Sequence, residues 1–282
     1  MKKLITATLF VLSGLFLMGA VNDQMPTMPF DCADPFRDTL VCKTMRHLRS
    51  NVHLLGEQRD LMRVDFEMLK NLGEDIESMV SHLLVQRSDS GHLEDLNEVR
   101  ALAAQLSEAA LDERVEALTY ANNIQSTCQR CHNSAQPSSG HRWDQIYKVN
   151  WSMIVETCNT PAPDRSPYVC KNMFAMLSAV DYFYSATQLQ NFNFATIISV
   201  ANELGRVAKD LKDRNMTHGE DSIQLFSEII QRAEKIEILS RSEDLEVVQH
   251  MNQVTSTCFA CHGMDGTSGS EDNGSIEFSP FN

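Results

Sequence analysis

The most constraining feature of the sequence is a short pattern, Cys-x-x-Cys-His, that occurs twice at corresponding points of the chain. The first copy is Cys128-Gln-Arg-Cys131-His132 and the second is Cys258-Phe-Ala-Cys261-His262. Both copies follow the same dipeptide, Ser-Thr, so the likeness extends beyond the pattern itself. The fold must therefore place two thiol pairs, each followed by an imidazole, at corresponding positions.

The likeness between the two halves of the chain continues upstream. The spacing between matched segments drifts by only a few positions, as small loop changes would produce. This pattern predicts one duplicated unit. The matched segments are Cys32–Pro35 with Cys158–Pro161, Cys42–Met45 with Cys170–Met173, and Asn71–Gly73 with Glu203–Gly205.

Each unit is expected to fold as four helices, because glycine and proline are few (12 and 8) and apolar residues recur every three or four positions. In the first unit the helices are predicted at about 36–55, 60–86, 93–109 and 112–132. The fold class is therefore all-α, with two tandem four-helix bundles. The apolar stripe of the last helix is predicted as Val115, Leu118, Ala121, Ile124 and Cys128, and in the second unit as Leu245, Val248, Met251, Val254 and Cys258.

The repeated pattern is the signature of covalent haem attachment. Two thiols add to the haem vinyl groups, and the adjacent histidine supplies an axial nitrogen to the iron. A redox dithiol would need a βαβ context, and two Cys pairs sharing one zinc would lie closer in sequence. Neither alternative explains the histidines. Two haem c groups are therefore expected, bound by Cys128, Cys131, His132, Cys258, Cys261 and His262, with His132 and His262 as proximal ligands.

The segment 1–20 resembles an export signal: Lys2 and Lys3 precede an apolar stretch, Leu4–Met18, and the small residues Gly19 and Ala20. An uncleaved membrane anchor is the alternative, although the apolar run is short for spanning. The predicted location is the periplasm, with no membrane span after signal removal. The predicted domains are 21–136 and 141–265, joined by a short linker that keeps the haem units close, and a flexible tail, 266–282.

The four remaining cysteines also pair by position. In an oxidising compartment we expect the disulfides Cys32–Cys42 and Cys158–Cys170, each joining a lead-in segment to the start of a helix. Each short loop would add about 2–3 kcal/mol of stability on the chain-entropy model. Free buried thiols are the alternative.

With its helices and haem motifs, the sequence resembles the cytochrome c prime family over about residues 36–135 and 164–265. The resemblance implies an up-and-down four-helix bundle with the haem between helices. It also implies a distal residue on the first helix, at Met45 and Met173. The sequence departs from the family in its lead-in cysteines and at several positions. Val41 and Val169 stand where an arginine is often found, and Asn133-Ser134 and Gly263-Met264 follow the motifs where basic or aromatic residues are usual.

The distal ligand decides the function. A methionine beside the proximal histidine gives a six-coordinate iron suited to electron transfer, whereas an open position suits small gases. Met45 and Met173 are either these ligands or core residues. His47 and His53 are rival ligands, but Ala175 and Asp181 stand at their counterparts, so both are expected to be exposed. The remaining histidines are expected on the surface: His82, His92, His141, His218 and His250.

The predicted function is electron transfer between periplasmic redox partners. The formal charge of −14 opposes binding to nucleic acid and favours partners with basic docking surfaces, or else serves solubility alone. NO or CO binding is the alternative function. A dihaem peroxidase is not expected, because no recurring acid or base stands out for that role. Family bundles often dimerise, and the duplication is an internal route to such pairing, so the oligomeric state stays open.

Overall fold

We describe a computed structural model of the chain. The structure describes residues 39–60, 64–86, 92–134, 166–190, 192–214 and 220–261, all within one compact unit, Cys32–Asn282. Regular structure in these ranges is entirely α-helical, which confirms the all-α prediction. The predicted export signal, the predicted linker between the halves and the predicted tail lie outside the described residues.

The described residues form eight helices, four in each half. Within each half, every helix contacts the next one in sequence, and the fourth contacts the first, so the helices close into a ring. Side-chain contacts such as Gln58 with Met68 and Thr127 with Glu98 join early residues of one helix to late residues of its neighbour, which makes the neighbours antiparallel. The helices are α1 (Thr39–Asp60), α2 (Phe66–Gln86), α3 (Leu93–Leu111), α4 (Glu116–Ser134), α5 (Pro167–Leu189), α6 (Phe194–Asp213), α7 (Glu220–Arg241) and α8 (Val247–Cys261).

The boundary between α1 and α2 differs from the prediction. Helix α1 continues to Asp60 and α2 begins only at Phe66, whereas the sequence suggested a helix start near residue 60. The reason is the cap. Asp65 Oδ1 accepts a hydrogen bond from the Met68 amide at 2.9 Å, and the Gln58 side chain accepts from the Asp65 amide at 3.0 Å.

The stripe of the last helix is also shifted from the prediction. Val115 is 71% exposed and Leu245 is 63% exposed, because both lie in the turn before the helix begins. The buried stripe begins instead at Ala117 and Val247. Of the expected residues, four are buried (Ala121, Ile124, Met251 and Val254) and four are half-buried (Leu118, Cys128, Val248 and Cys258). The turn closes with a left-handed residue, Glu113 or Glu243, that satisfies carbonyl groups at the end of the preceding helix.

Most buried positions correspond between the two halves. Every buried residue of α6 has a buried counterpart in α2, and the spacing between counterparts is constant along the sequence, as between Met68 and Thr196. Every buried residue of α5 has a buried counterpart in α1 at the same spacing. For α3 with α7 and for α4 with α8 the spacing is slightly longer, as from Leu96 to Phe226. The sequence match of Gly73 with Gly205 was therefore wrong, since the structural counterpart of Gly73 is Ala201.

The two halves pack against each other through their first two helices. Helix α1 contacts α5, and α2 contacts α6, so the apolar core runs through both halves. Within the described residues, no helix combines the length and apolar character needed to cross a membrane. The arrangement leaves α3, α4, α7 and α8 on the outer sides, and α4 and α8 are the helices that carry the repeated cysteine pairs.

Candidate functional site

The cysteine pairs lie in the last turns of α4 and α8. Cys128 and Cys258 occupy the same place in the two halves, and both pack against the apolar core. His132 is part of helix α4, but its side chain, the Cys261 side chain and all of His262 lie outside the described residues. The structure therefore locates the Cys128, Cys131 and Cys258 side chains, and the roles of the motif cysteines and histidines stay predictions.

The described cysteines of the motifs are thiols and not disulfides: Cys128, Cys131 and Cys258. Burial, followed by the neighbouring Cys131, raises the pKa of Cys128 to about 12. Burial, followed by Asp95, raises the pKa of Cys131 to about 11. Without a reaction partner these two thiols stay protonated at neutral pH, and thiolate chemistry is suppressed.

Cys42 and Cys170 behave differently, because each is bonded in a disulfide. Both lie near the start of a first helix, α1 or α5. The expected partners, Cys32 and Cys158, lie outside the described residues, so the pairing itself remains a prediction.

Cys131 has a second set of neighbours that the sequence did not suggest. Its sulfur, a ring nitrogen of His92 and a carboxylate oxygen of Asp95 all lie within 4.8 Å of one another, a donor set that a divalent metal accepts. Asp95 also receives hydrogen bonds from Arg130, which competes for the carboxylate. The second half does not repeat the cluster, since Ser222 and Leu225 stand at the positions of His92 and Asp95.

A threonine–glutamate contact precedes the cysteine pair in both halves. The Thr127 hydroxyl donates to Glu98 at 3.2 Å, and the Thr257 hydroxyl donates to Glu228 at 3.3 Å. Each bond joins the residue just before the first cysteine to the neighbouring antiparallel helix, and so fixes the rotation of the helix end. An arginine partners each carboxylate, Arg130 from α4 for Glu98 and Arg232 from α7 for Glu228. The repeated Ser-Thr-Cys segment was the sequence signal for this contact, and its role was missed.

The candidate distal residues, Met45 and Met173, are both half-buried and packed against the apolar core. They are structural counterparts on α1 and α5. Because neighbouring helices are antiparallel, each methionine lies towards the end of its ring at which α4 or α8 terminates. This is the end that carries the cysteine pair.

Helices α1 and α5 run antiparallel to each other across the interface. Ser50 contacts Ser185, and Glu57 contacts Ser178, so higher numbers on α1 meet lower numbers on α5. On α1, Met45 lies eight to nine residues before the midpoint between Ser50 and Glu57. On α5, Met173 lies equally far before the midpoint between Ser178 and Ser185. At about 1.5 Å per residue, these 16 to 18 residues place the two methionines roughly 24–27 Å apart along the helix pair.

Comparison of the chain with family models, with curated proteins and with solved structures finds no match. The resemblance to the cytochrome c prime family thus rests on the helical pattern and the two Cys-x-x-Cys-His motifs of this sequence alone.

The prediction that His47 is exposed was wrong. The residue is only 2% exposed and its ring lies between the halves, where Nδ1 is 2.8 Å from Ser185 Oγ and Nε2 is 3.4 Å from Asp75 Oδ2. Tyr182 packs on the ring, with centroids 4.7 Å apart. The helical pattern correctly indicated that His47 points away from Met45. It did not indicate that the second half of the chain covers that face of the helix.

His53 is half-buried rather than exposed, and His92 and His250 are half-buried as well. Of the remaining histidines expected on the surface, His82 is exposed, whereas His141 and His218 lie outside the described residues. Burial, followed by the charge of Arg49, lowers the pKa of His53 from 6.5 to about 3.

This depressed pKa predicts a loss of stability in acid. Between pH 6.5 and about 3 the unfolded chain binds a proton at His53 and the folded chain does not, so the free energy of unfolding falls as the pH drops through this window. At about pH 5, His53 contributes up to about one proton taken up on unfolding. We expect His53→Gln to flatten the pH dependence of the denaturant midpoint. His82→Gln, a change at an exposed site, is the control, and equal slopes for H53Q and wild type would contradict the prediction.

Proposed function

We propose that this chain is an exported c-type cytochrome with two covalent haem groups, which transfers electrons between periplasmic redox partners. The observation that carries the proposal is the repeated Cys-x-x-Cys-His pattern, whose cysteine pairs lie on corresponding helices of two rings with matching buried positions. A tandem duplication of one haem-binding four-helix bundle accounts for both the sequence offsets and the burial pattern.

The residues present fit a covalently attached haem. Cys128 and Cys131 are thiols on one turn of α4, and Cys128 packs against the core beside the ring of helices. Cys42 and Cys170 are disulfide-bonded, whereas Cys128, Cys131 and Cys258 are not. When bound, haem supplies a one-electron redox centre whose potential the axial ligands set. The chain itself would anchor the group through thioethers at Cys128 and Cys131, with His132 as the proposed axial ligand.

In the second half, Cys258 and Cys261 are proposed to anchor the group and His262 to ligate the iron. Thr257 and Glu228 hold the end of α8 as Thr127 and Glu98 hold the end of α4. This shared bond supports an equivalent attachment geometry in the two halves.

Met45 and Met173 are the proposed distal ligands. Their half-buried positions on the first helices, at the ends where the cysteine pairs lie, support the assignment. We also propose the disulfides Cys32–Cys42 and Cys158–Cys170, which mass-spectrometric mapping of the unreduced protein tests directly.

Absorption spectra of the purified ferric and ferrous protein, before and after CO, test the function. Electron transfer with methionine ligation predicts low-spin bands, a ferric sulfur-to-iron charge-transfer band and no change with CO. A fully high-spin spectrum that shifts with CO would replace this function by gas binding. A shift of half the expected size would assign one haem to each role.

The methionine assignment also makes a prediction for single variants. Met45→Ala removes one of two thioether ligands, so we expect the charge-transfer band to lose about half its intensity and one haem per chain to bind CO. Met173→Ala is the matched variant in the other half. Met68→Ala, a fully buried methionine of α2, is the control for general loosening of the core. If M68A gave the same spectral change as M45A, ligation by Met45 would be ruled out.

A further inference from the structure

The face between the two halves has nearly twofold symmetry. Ser50 Oγ lies 3.0 Å from Ser185 Oγ, and the Ser178 hydroxyl donates to Glu57. These two contacts are reciprocal, because Ser178 is the counterpart of Ser50 and Ser185 is the counterpart of Glu57. A surface that meets its own counterpart in this way is isologous, the arrangement found in twofold dimers.

The symmetry axis passes close to α2 and α6. The Asn71 side chain donates to Ser199 Oγ at 2.9 Å, and Ser199 is the counterpart of Asn71 itself. A residue that contacts its own counterpart lies on the axis. By symmetry alone, then, the first half would pair with a second copy of itself as readily as with the second half.

A buried polar network departs from this symmetry. The Tyr182 hydroxyl, from the second half, donates at 3.2 Å to Asp75, which also lies beside His47, and His47 in turn bonds to Ser185. Tyr182, His47 and Ser185 are each at most 2% exposed. The counterparts of these residues in the other half cannot form the same network: the counterpart of Tyr182 is Leu54, that of His47 is Ala175, that of Asp75 is Glu203 and that of Ser185 is Glu57.

Arg46 forms a second unsymmetrical contact. Its guanidinium lies 3.5 Å from Asp181 and 4.4 Å from the centre of the Tyr184 ring, both on the second half. A second copy of the first half would offer His53 and Gly56 at those places, and neither replaces the carboxylate or the aromatic face. It would likewise place Leu54 where Tyr182 donates, and leave Asp75 without that hydrogen bond.

We infer that this unsymmetrical network selects the pairing of unlike halves, so that the face formed by α1 and α2 accepts the second half of the chain in preference to a second copy of the first. Buried polar groups that lose a partner are costly, whereas satisfied ones specify a single arrangement. The inference concerns the pairing surface alone and stands whether or not the chain carries haem.

The test uses the full chain with a protease site inserted between Pro137 and Ser138. The purified protein is cleaved there after folding, and its pairing is followed by native mass spectrometry after long incubation at micromolar concentration. We expect one species, the first half bound to the second. A mixture of like and unlike pairs near 1:2:1, or separation into single halves, would overturn the inference.

Two further variants connect the result to the network. Arg46→Phe with His47→Ala and Tyr182→Leu installs the mirrored residues, and like pairs are then expected to appear. Ser50→Ala with Ser178→Ala is the matched control, because it removes reciprocal contacts equally from both sides and should leave only the unlike pair. If the triple variant does not accumulate, R46F alone is expected to give a smaller share of like pairs. Like pairs from the serine variant, or none from the variants carrying mirrored residues, would contradict selection by the network.

Discussion

Replacing Cys128 and Cys131 together by serine is expected to leave a protein with one covalent haem in place of two. Thioether bonds form only at the cysteine sulfurs, so the first half loses both of its anchors and the second half keeps Cys258 and Cys261. The absorbance of the haem per chain should fall by half, and the mass of the intact protein should fall by about one haem group.

The mirrored variant, Cys258→Ser with Cys261→Ser, is expected to give the same loss from the other half. Trypsin digestion would then locate the remaining haem on the peptide with the intact cysteine pair. Cys42→Ser with Cys170→Ser is the control, because it removes the two disulfide-bonded cysteines and should leave both haems attached. Retention of two haems in the C128S/C131S protein would refute the proposed attachment.

Without the proposed haem the first half would also lose part of its packing, so the folding of the variants has to be monitored separately. The far-ultraviolet circular dichroism of the variants reports helix content, and the second half should keep its share. Loss of both haems together with loss of helix content from the whole chain would show that the halves fold only as a pair. In that case the variant His132→Ala, which retains both thiols, tests haem attachment separately from iron ligation.

Gly73→Ala is expected to reduce the free energy of unfolding by about 1–3 kcal/mol. A Cβ added at Gly73 would overlap Ser107 Oγ and lie 3.0 Å from the Ala103 carbonyl oxygen and 3.2 Å from the Ser107 amide nitrogen. The serine side chain has freedom to turn, but the two backbone atoms belong to α3, so the helices must separate. This cost exceeds the gain of up to about 1 kcal/mol from replacing glycine in a helix.

Two other helical glycines provide matched controls for Gly73. A Cβ at Gly205 would meet only the Ala233 Cβ, at 3.3 Å, and a Cβ at Gly56 would meet only the end of the Gln125 side chain, at 3.8 Å. Gly205→Ala should therefore change stability by less than about 1 kcal/mol, and Gly56→Ala should be stabilising. Denaturant unfolding of the three variants measures the difference. A G73A protein as stable as G56A would mean that α2 and α3 do not approach closely at this point.

The sequence was sufficient for the helices but not for their ends. The spacing of Ala121, Ile124 and Cys128 predicted helix α4, because apolar residues that recur every 3.6 positions can be recognised in the sequence alone. The start of α2 depended on which of two aspartates caps the helix, and only the bond from Met68 to Asp65 decides that. Boundaries rest on single hydrogen bonds, which leave a weak trace in the pattern of residues.

The polar residues between the halves were beyond prediction for a different reason. Asp75 and Tyr182 sit within apolar stripes, where the period gives their direction but not what they meet. Their partners are distant in the chain, and the register of α1 against α5 is set by packing of the complete halves. The duplicated pattern predicts which positions correspond in the two halves, but the network depends on corresponding positions that carry different residues.

The antiparallel packing of α1 against α5 has a consequence for how partners would be served. Met45 and Met173 lie towards opposite ends of the helix pair, so a donor docked beside one candidate redox centre leaves the other end uncovered. Under the proposed function, donor and acceptor would then dock at separate sites, and one would not have to dissociate before the other binds. In steady-state assays, an excess of oxidised donor should leave the affinity for the acceptor unchanged, and a stable three-protein assembly should be recoverable at low ionic strength.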